Sequence, residues 1–263
     1  MYNILLIGET CRDEYIYGIC DRVCPEAAAL VFTRTDDLIT FNHGMAGNVY
    51  RNLISIDKNI LNITFLTNSN INSSIIKRRY IDKRYNTIVL REDIYGKIDK
   101  LDFLTNFNYK DINKNYDLII ISDYNKGLID IKDYHDIRKI YPNTKILVDT
   151  KQKVTVDIAK NIDYLKINKL EYSDIKHNQD VHSLCDIIVT KGDCGADLYK
   201  KNNKKVFSFP TKKIEVRDVC GAGDTFLAAL AIKYLYTRNI CDSIDFANEC
   251  AGKVVTKFGV ATP

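Results

Sequence analysis

No stretch of this chain stays apolar for the about 20 residues that a membrane-spanning helix needs. The first residues run straight into a strand-like segment, so no signal peptide is expected. The eight cysteines (Cys11, Cys20, Cys24, Cys185, Cys194, Cys220, Cys241 and Cys250) include no Cys-x-x-Cys pair, and the four histidines do not cluster near them. Neither a structural zinc nor a disulfide framework is expected, and reduced thiols in the cytoplasm are. The sequence contains no Gly-x-x-x-x-Gly-Lys-Ser/Thr, which excludes a P-loop, and no Gly-x-Gly-x-x-Gly follows the first apolar run. Charge imbalance is small as well: +4 over 263 residues gives no general argument for nucleic acid, although it suits anionic substrates. There is no internal repeat and no low-complexity linker. A length of 263 residues fits one α/β domain, and the apolar content is ordinary for a globular protein.

What is present is a series of short apolar runs: Ile4-Leu5-Leu6-Ile7, Leu118-Ile119-Ile120-Ile121, Ile146-Leu147-Val148, Tyr164-Leu165-Lys166-Ile167 and Ile187-Ile188-Val189. Most are continuous rather than alternating, as strands covered on both faces should be, and their spacing leaves room for crossover helices. A mainly parallel, Rossmann-like sheet flanked by helices follows. Each run ends in polar or glycine residues: Gly8-Glu9, Ser122-Asp123, Asp149, Asn168 and Thr190-Lys191-Gly192. Ligands of open α/β sheets bind outside these carboxyl ends. Any one such residue could equally be a cap or a turn residue. Two stretches, residues 12–41 and 77–91, read as strands outside the main sheet and predict a small antiparallel lid over the site.

The most informative segment is Asp218-Val219-Cys220-Gly221-Ala222-Gly223-Asp224-Thr225, directly before the apolar helix Phe226-Leu227-Ala228-Ala229-Leu230-Ala231-Ile232. Small residues at a helix N-terminus expose backbone N–H groups at the positive end of the dipole and make an anion site. Asp224 puts a proton acceptor at its edge, as phosphoryl transfer to a hydroxyl requires. A tight turn with Asp224 as a simple cap is the bland alternative.

The order acid, two residues, Gly-Ala-Gly-Asp, apolar helix resembles the Asp-Thr-x-Gly-Ala-Gly-Asp signature of the ribokinase-like carbohydrate kinases, with Val219 in place of Thr. The resemblance implies that Gly221, Ala222 and Gly223 stabilise the transferred phosphoryl group and that Asp224 is the base. Asp218 would orient the turn or touch substrate. Asn168-Lys169-Leu170-Glu171 is similar to the family's Asn-x-x-Glu, which implies Asn168 near the nucleotide phosphates and Glu171 on a magnesium ion through water. A first-turn acid is the plain alternative for Glu171. Thr190, Gly192 and Gly195 match a Thr-x-Gly-x-x-Gly hairpin that borders ATP, and Asn248 lies on a helix of small residues that would face the adenine.

On the sugar side, Gly8-Glu9-Thr10-Cys11-Arg12-Asp13 resembles a Gly-Asp-x-x-x-Asp start, and His43-Gly44-Met45-Ala46-Gly47-Asn48 a Gly-Gly-x-x-x-Asn turn. Glu9 and His43 replace the usual residues. Asp13, Gly44 and Asn48 are then sugar ligands. One branch, the heptose-7-phosphate kinases, is similar through residues 13–27 and through Ser122-Asp123-Tyr124-Asn125-Lys126-Gly127, which adds Asp123 and Lys126 to the substrate set. Lys126, Lys151 and Arg78 would be candidates to meet phosphate groups. The run Lys77-Arg78-Arg79 reads otherwise as a solvated basic face.

The expectation is thus an ATP- and Mg2+-dependent sugar kinase, for which the resemblance implies D-glycero-D-manno-heptose 7-phosphate as substrate and the 1,7-bisphosphate as product, with neither nucleic acid nor membrane as partner. A kinase of another sugar or nucleoside, or a non-catalytic binding protein of the same fold, stays open. So does a homodimer through the lid. Between Thr67 and Lys77 a helix and its connecting strand expected from the family are missing.

Overall fold

The structure, a computed structural model, describes residues 1–263 apart from 36–38, 58, 60, 70–74, 102, 104–113, 204, 258 and 260. In chain order the strands are β1 (Tyr2–Gly8), β2 (Thr10–Val23), β3 (Leu30–Arg34), β4 (Thr40–Met45), β5 (Leu61–Leu66), β6 (Ile75–Asp82) and β7 (Thr87–Tyr95). They continue with β8 (Leu118–Asp123), β9 (Ile146–Thr150), β10 (Tyr164–Asn168), β11 (Asp186–Thr190), β12 (Ala196–Tyr199) and β13 (Val206–Phe209). The helices are α1 (Ala46–Ile56), α2 (Ile131–Ile140), α3 (Val156–Ala159), α4 (Lys169–Ser173), α5 (Gln179–Leu184), α6 (Ala222–Thr237) and α7 (Ile240–Val255).

Each continuous apolar run becomes a strand of one sheet, in the order β13-β12-β11-β10-β9-β8-β1-β5. Pairing is parallel from β5 to β11, and only β12 and β13 run antiparallel. Side chains two apart share a face. Leu5, Ile7, Ile119, Ile121, Val148, Leu165 and Ile187 therefore form one core with Tyr134 and Ile137 of α2. Ile4, Leu6, Leu118, Ile120 and Ile188 form the other, against α1, α6 and α7. Each such side chain contributes about 1.5–3 kcal/mol on burial.

The lid is a second sheet, β3-β2-β6-β7, with β4 paired to β2. It is not wholly antiparallel as expected, because β2 and β6 run parallel. The cause is topological. β1 and β5 are parallel neighbours at the edge of the main sheet, and the next strands in the chain, β2 and β6, belong to the lid, so the two run in the same direction. The second lid stretch is also longer than predicted, a hairpin spanning Ile75–Tyr95 with its turn at residues 83–86. The expected loss of a helix after Thr67 falls partly on residues 70–74, outside the described residues.

Gly8 marks where β1 leaves the sheet for the lid. A Cβ there would lie 2.0 Å from the backbone oxygen of Ser122 on β8. Gly8→Ala must therefore push β1 and β8 apart, and overpacking of this kind costs about 1–3 kcal/mol or more. Urea denaturation of the variant should give a lower midpoint with an unchanged slope.

Candidate active site

The start of α6 organises the site. Gly221 adopts the left-handed conformation (φ 80°) that glycine tolerates, and no side chain caps the helix. The Ala222 amide turns back to the Val219 carbonyl at 3.3 Å. Asp224, in the first turn, is buried at 7% exposure. Its Oδ2 accepts a hydrogen bond from Asn48 Nδ2 at 2.9 Å, and its Oδ1 accepts one from the Tyr124 hydroxyl at 2.6 Å. Asn52 fixes Asn48 by donating to its Oδ1 at 3.2 Å and accepts from the Thr225 hydroxyl at 3.0 Å. A buried polar chain thus ties α1 to α6 around the carboxylate. Burial pushes the Asp224 carboxyl above the ordinary aspartate range, while Tyr124 and Asn48 pull it back.

Beneath the glycine turn lies Lys166, which sequence reasoning missed. It is buried on β10, its Nζ donates to Asp149 Oδ2 at 2.6 Å, and a Cβ on Gly223 would sit 3.1 Å from that Nζ. The signal is a lysine in the middle of an apolar strand run, a position that demands a partner and so suggests a use.

Next to this turn a cavity of about 490 Å³ is lined by Thr190, Gly192, Gly195, Ala222, Gly223 and Asn248, with Ile214, Val216, Val219, Ala251 and Val255 as apolar walls. Of the residues expected around the nucleotide, the structure thus brings Thr190, Gly192, Gly195 and Asn248 together beside the glycine turn. Asn168, Lys169, Leu170 and Glu171 are not among its lining. The Asn168 side chain accepts the Leu170 and Glu171 amides, and Glu171 accepts the Asn168 amide at 2.8 Å, so the pair closes a capping box on α4. The other Glu171 oxygen receives Lys151 Nζ at 2.5 Å, so Lys151 is held by a carboxylate rather than free for phosphate.

On the sugar side, Asp13 and Arg79 form a buried ion pair at 2.5 Å. A Cβ on Gly44 would lie 1.9 Å from Asp13 Oδ2, which places Gly44 against that carboxylate, with Asn48 following on α1. Asp123 departs from expectation. Its carboxylate accepts the Thr150 and Tyr134 hydroxyls at 2.7 and 3.0 Å and the Asn125 amide at 2.8 Å, so it anchors the core instead of a sugar. Lys126 is exposed, with its ammonium 4.4 Å from the centre of the Tyr95 ring. The basic run is no solvated face: Arg79 is buried, Arg78 donates to Glu14 and Glu92 at 2.7 and 2.8 Å, and Lys77 lies over Tyr124. Arg78 is thereby spent on carboxylates. Asp218 accepts the Cys220 and Gly259 amides and so orients the turn.

Among the described residues no group of three or more His, Cys, Asp or Glu could hold a metal by itself. One buried acceptor is nevertheless spare. Asp149 Oδ1 makes no hydrogen bond, and the Lys151 ammonium stands 3.6 Å away. An oxygen-preferring cation carried largely by phosphates and water fits such a donor, with Glu171 nearby.

Residues 55–263 match the model of the pfkB family carbohydrate kinases. The chain belongs to this family and is a sugar kinase of an ATP-using type. It is similar to two curated proteins named bifunctional protein HldE, 29% identical in Aliarcobacter butzleri and 31% in Campylobacter concisus, each over 99% of this chain. The chain spans 62% of the length of each. By fold it resembles ribokinase from Thermotoga maritima (TM-score 0.72, 17% identity, 99% of this chain and 95% of that one). A nucleoside kinase of the ribokinase family from Methanocaldococcus jannaschii gives a TM-score of 0.70 at 19% identity, covering 99% of this chain and 93% of that one. The fold is ribokinase-like. Among the described residues no helix is long and apolar enough to cross a membrane.

Removing the Lys166 ammonium strands a buried carboxylate on Asp149. Lys166→Met should lower unfolding free energy by about 3–5 kcal/mol in urea titrations. A change within experimental error would mean that Asp149 finds another partner.

Proposed function

We propose that this chain transfers the γ-phosphoryl group of ATP to the anomeric hydroxyl of D-glycero-D-manno-heptose 7-phosphate, giving the 1,7-bisphosphate. The observation that carries an anionic sugar is the inner face of the lid. Register places Asp13, Lys77 and Asp93 in one row across β2, β6 and β7, and Tyr15, Arg79 and Arg91 in the next. With Lys126 of the facing loop, four cations stand against two carboxylates, Asp13 and Asp93. Lys77 and Lys126 each lie over an aromatic ring, Tyr124 and Tyr95, and neither forms an ion pair among the described residues. A neutral sugar has no use for that excess charge; a phosphate at the far end of the sugar does. The likeness of residues 13–27 and 122–127 to heptose-7-phosphate kinases supplies the choice of sugar.

In this reading Asp224 takes the proton of the attacking hydroxyl. Its raised pKa suits a base that must later give the proton up. The first-turn amides of α6 and the Lys166 ammonium face the charge that spreads over the transferred group. Asp13 accepts hydrogen bonds from sugar hydroxyls, held ready by Arg79. The cavity beside Asn248 takes the nucleotide. Asp149 and Glu171 would hold Mg2+ through water, where the ion would neutralise phosphate charge. The lid leaves Val23, Leu30, Phe41 and Leu90 exposed, and a second copy of the lid would cover them.

ADP release is the test. The protein should turn over heptose 7-phosphate, while sugars without a phosphate should lag by at least about 100-fold in kcat/KM, as expected when buried or excess charge goes unmatched. Turnover of a neutral sugar at the same rate would discard the sugar-phosphate reading. Asp224→Asn should lower kcat by about 10²–10⁴ and leave ATP affinity unchanged. Because only the ionised base works, kcat should fall as pH drops through a limb lying above the ordinary aspartate range.

A further inference from the structure

Two donors hold Asp224, and Tyr124 is the one whose position is built by an unusual device. Its ring sits on the loop between β8 and α2, where Asn125 (φ 55°) and Gly127 (φ 96°) are both left-handed. This loop is wound around the carboxylate of Glu9, which is fully buried at the end of β1. Glu9 Oε2 accepts the Tyr124 amide at 2.8 Å, and Oε1 accepts the amides of Lys126 at 2.8 Å and Leu128 at 3.4 Å. A buried carboxylate needs such donors, and these donors need an acceptor, so each fixes the other.

We propose that Tyr124 is a positioning residue for the Asp224 base and that Glu9 is the anchor that sets its place; this rests on the kinase reading. One donor on each oxygen fixes the plane of the Asp224 carboxylate and leaves a further lone pair free for the sugar hydroxyl. Tyr124 keeps its own proton throughout, because burial beside Asp224 and Asp149 holds its hydroxyl far above the usual range. No proton passes through it. The other groups facing Asp224 are Asp149, Lys166 and Cys11, besides Asn48. None of them replaces the Tyr124 donor, so its loss favours the protonated carboxyl and moves the Asp224 titration to higher pH.

Tyr124→Phe removes one oxygen and leaves the ring. Loss of alignment should lower kcat about 10- to 100-fold with both KM values unchanged. The acid limb of kcat should move up in pH. Glu9→Gln sets an amide donor against backbone donors and should lower kcat in the same way, with the double variant no worse than the poorer single one. Because Glu9→Gln also threatens folding, Tyr124→Phe carries the decision. A second readout needs no turnover: the 13C carboxyl titration of Asp224, assigned by its loss in Asp224→Asn, should shift upward in Tyr124→Phe. An unshifted titration with wild-type kcat overturns the proposal. A raised KM for the sugar alone, with an unshifted titration, also overturns it and makes Tyr124 a substrate contact. If the wild type is silent with every sugar phosphate while the titration still shifts, the substrate reading fails and the positioning role stands.

Discussion

A carboxylate withdrawn from water at the first turn of α6 sets the terms for the rest of this molecule. Asp224 is costly to bury, and the cost is met by donors from two distant segments, Asn48 of α1 and Tyr124 of the loop after β8. Asn48 is held there by Asn52 and Thr225, which bind α1 to α6 beside the Val49 and Leu53 packing. Tyr124 is held there by its loop, which Glu9 and Asp123 anchor. The strand ends β1 and β8, the helix pair and the glycine turn are therefore one construction. The ionisation of Asp224 is set by the balance: burial lifts its pKa, while the donors pull it back.

The lid follows a second constraint, charge balance away from bulk water. Asp13 can stay buried in β2 because Arg79 arrives beside it from β6. That pairing needs β2 and β6 to be neighbours in parallel, and the main sheet guarantees it by sending both out from the adjacent strands β1 and β5. On the opposite face Arg78 is spent on Glu14 and Glu92. The alternation along β6 thus divides one basic run into a pair on one face, Lys77 over Tyr124 and Arg79 on Asp13, and a residue on the other face held by Glu14 and Glu92.

That division explains what was legible in the sequence. The continuous runs at residues 4–7, 118–121, 146–148 and 187–189 are strands because local composition alone marks a strand buried on both faces. The Gly221–Asp224 turn is legible for the same reason, since its chemistry lies within a few consecutive residues. Lys166, Arg79 and Glu9 are not legible from local sequence, because each is fixed by a partner 17, 66 and 115 positions away. The Lys77-Arg78-Arg79 run read as solvated because a charge run carries no mark of the face that each member will take. Asn168 and Glu171 were matched by motif, and the structure fills their side chains with the helix cap that the same motif encodes.

Asp123 carries this point furthest. The segment Ser122-Asp123-Tyr124-Asn125-Lys126-Gly127 resembles a motif of the heptose-7-phosphate kinases, which implies Asp123 and Lys126 as substrate contacts. Yet that acid faces inward, to the hydroxyls of Tyr134 and Thr150 and the amide of Asn125. Strand periodicity requires it: Asp123 ends β8 on the same face as Ile119 and Ile121, which pack into the core beneath. The residue after it begins the loop, and freedom from the strand lets that side chain turn toward α6. In this segment one carboxylate fixes a strand end so that the next side chain, a phenol, reaches Asp224. The acid is the conspicuous letter, but the contact with Asp224 falls to its neighbour.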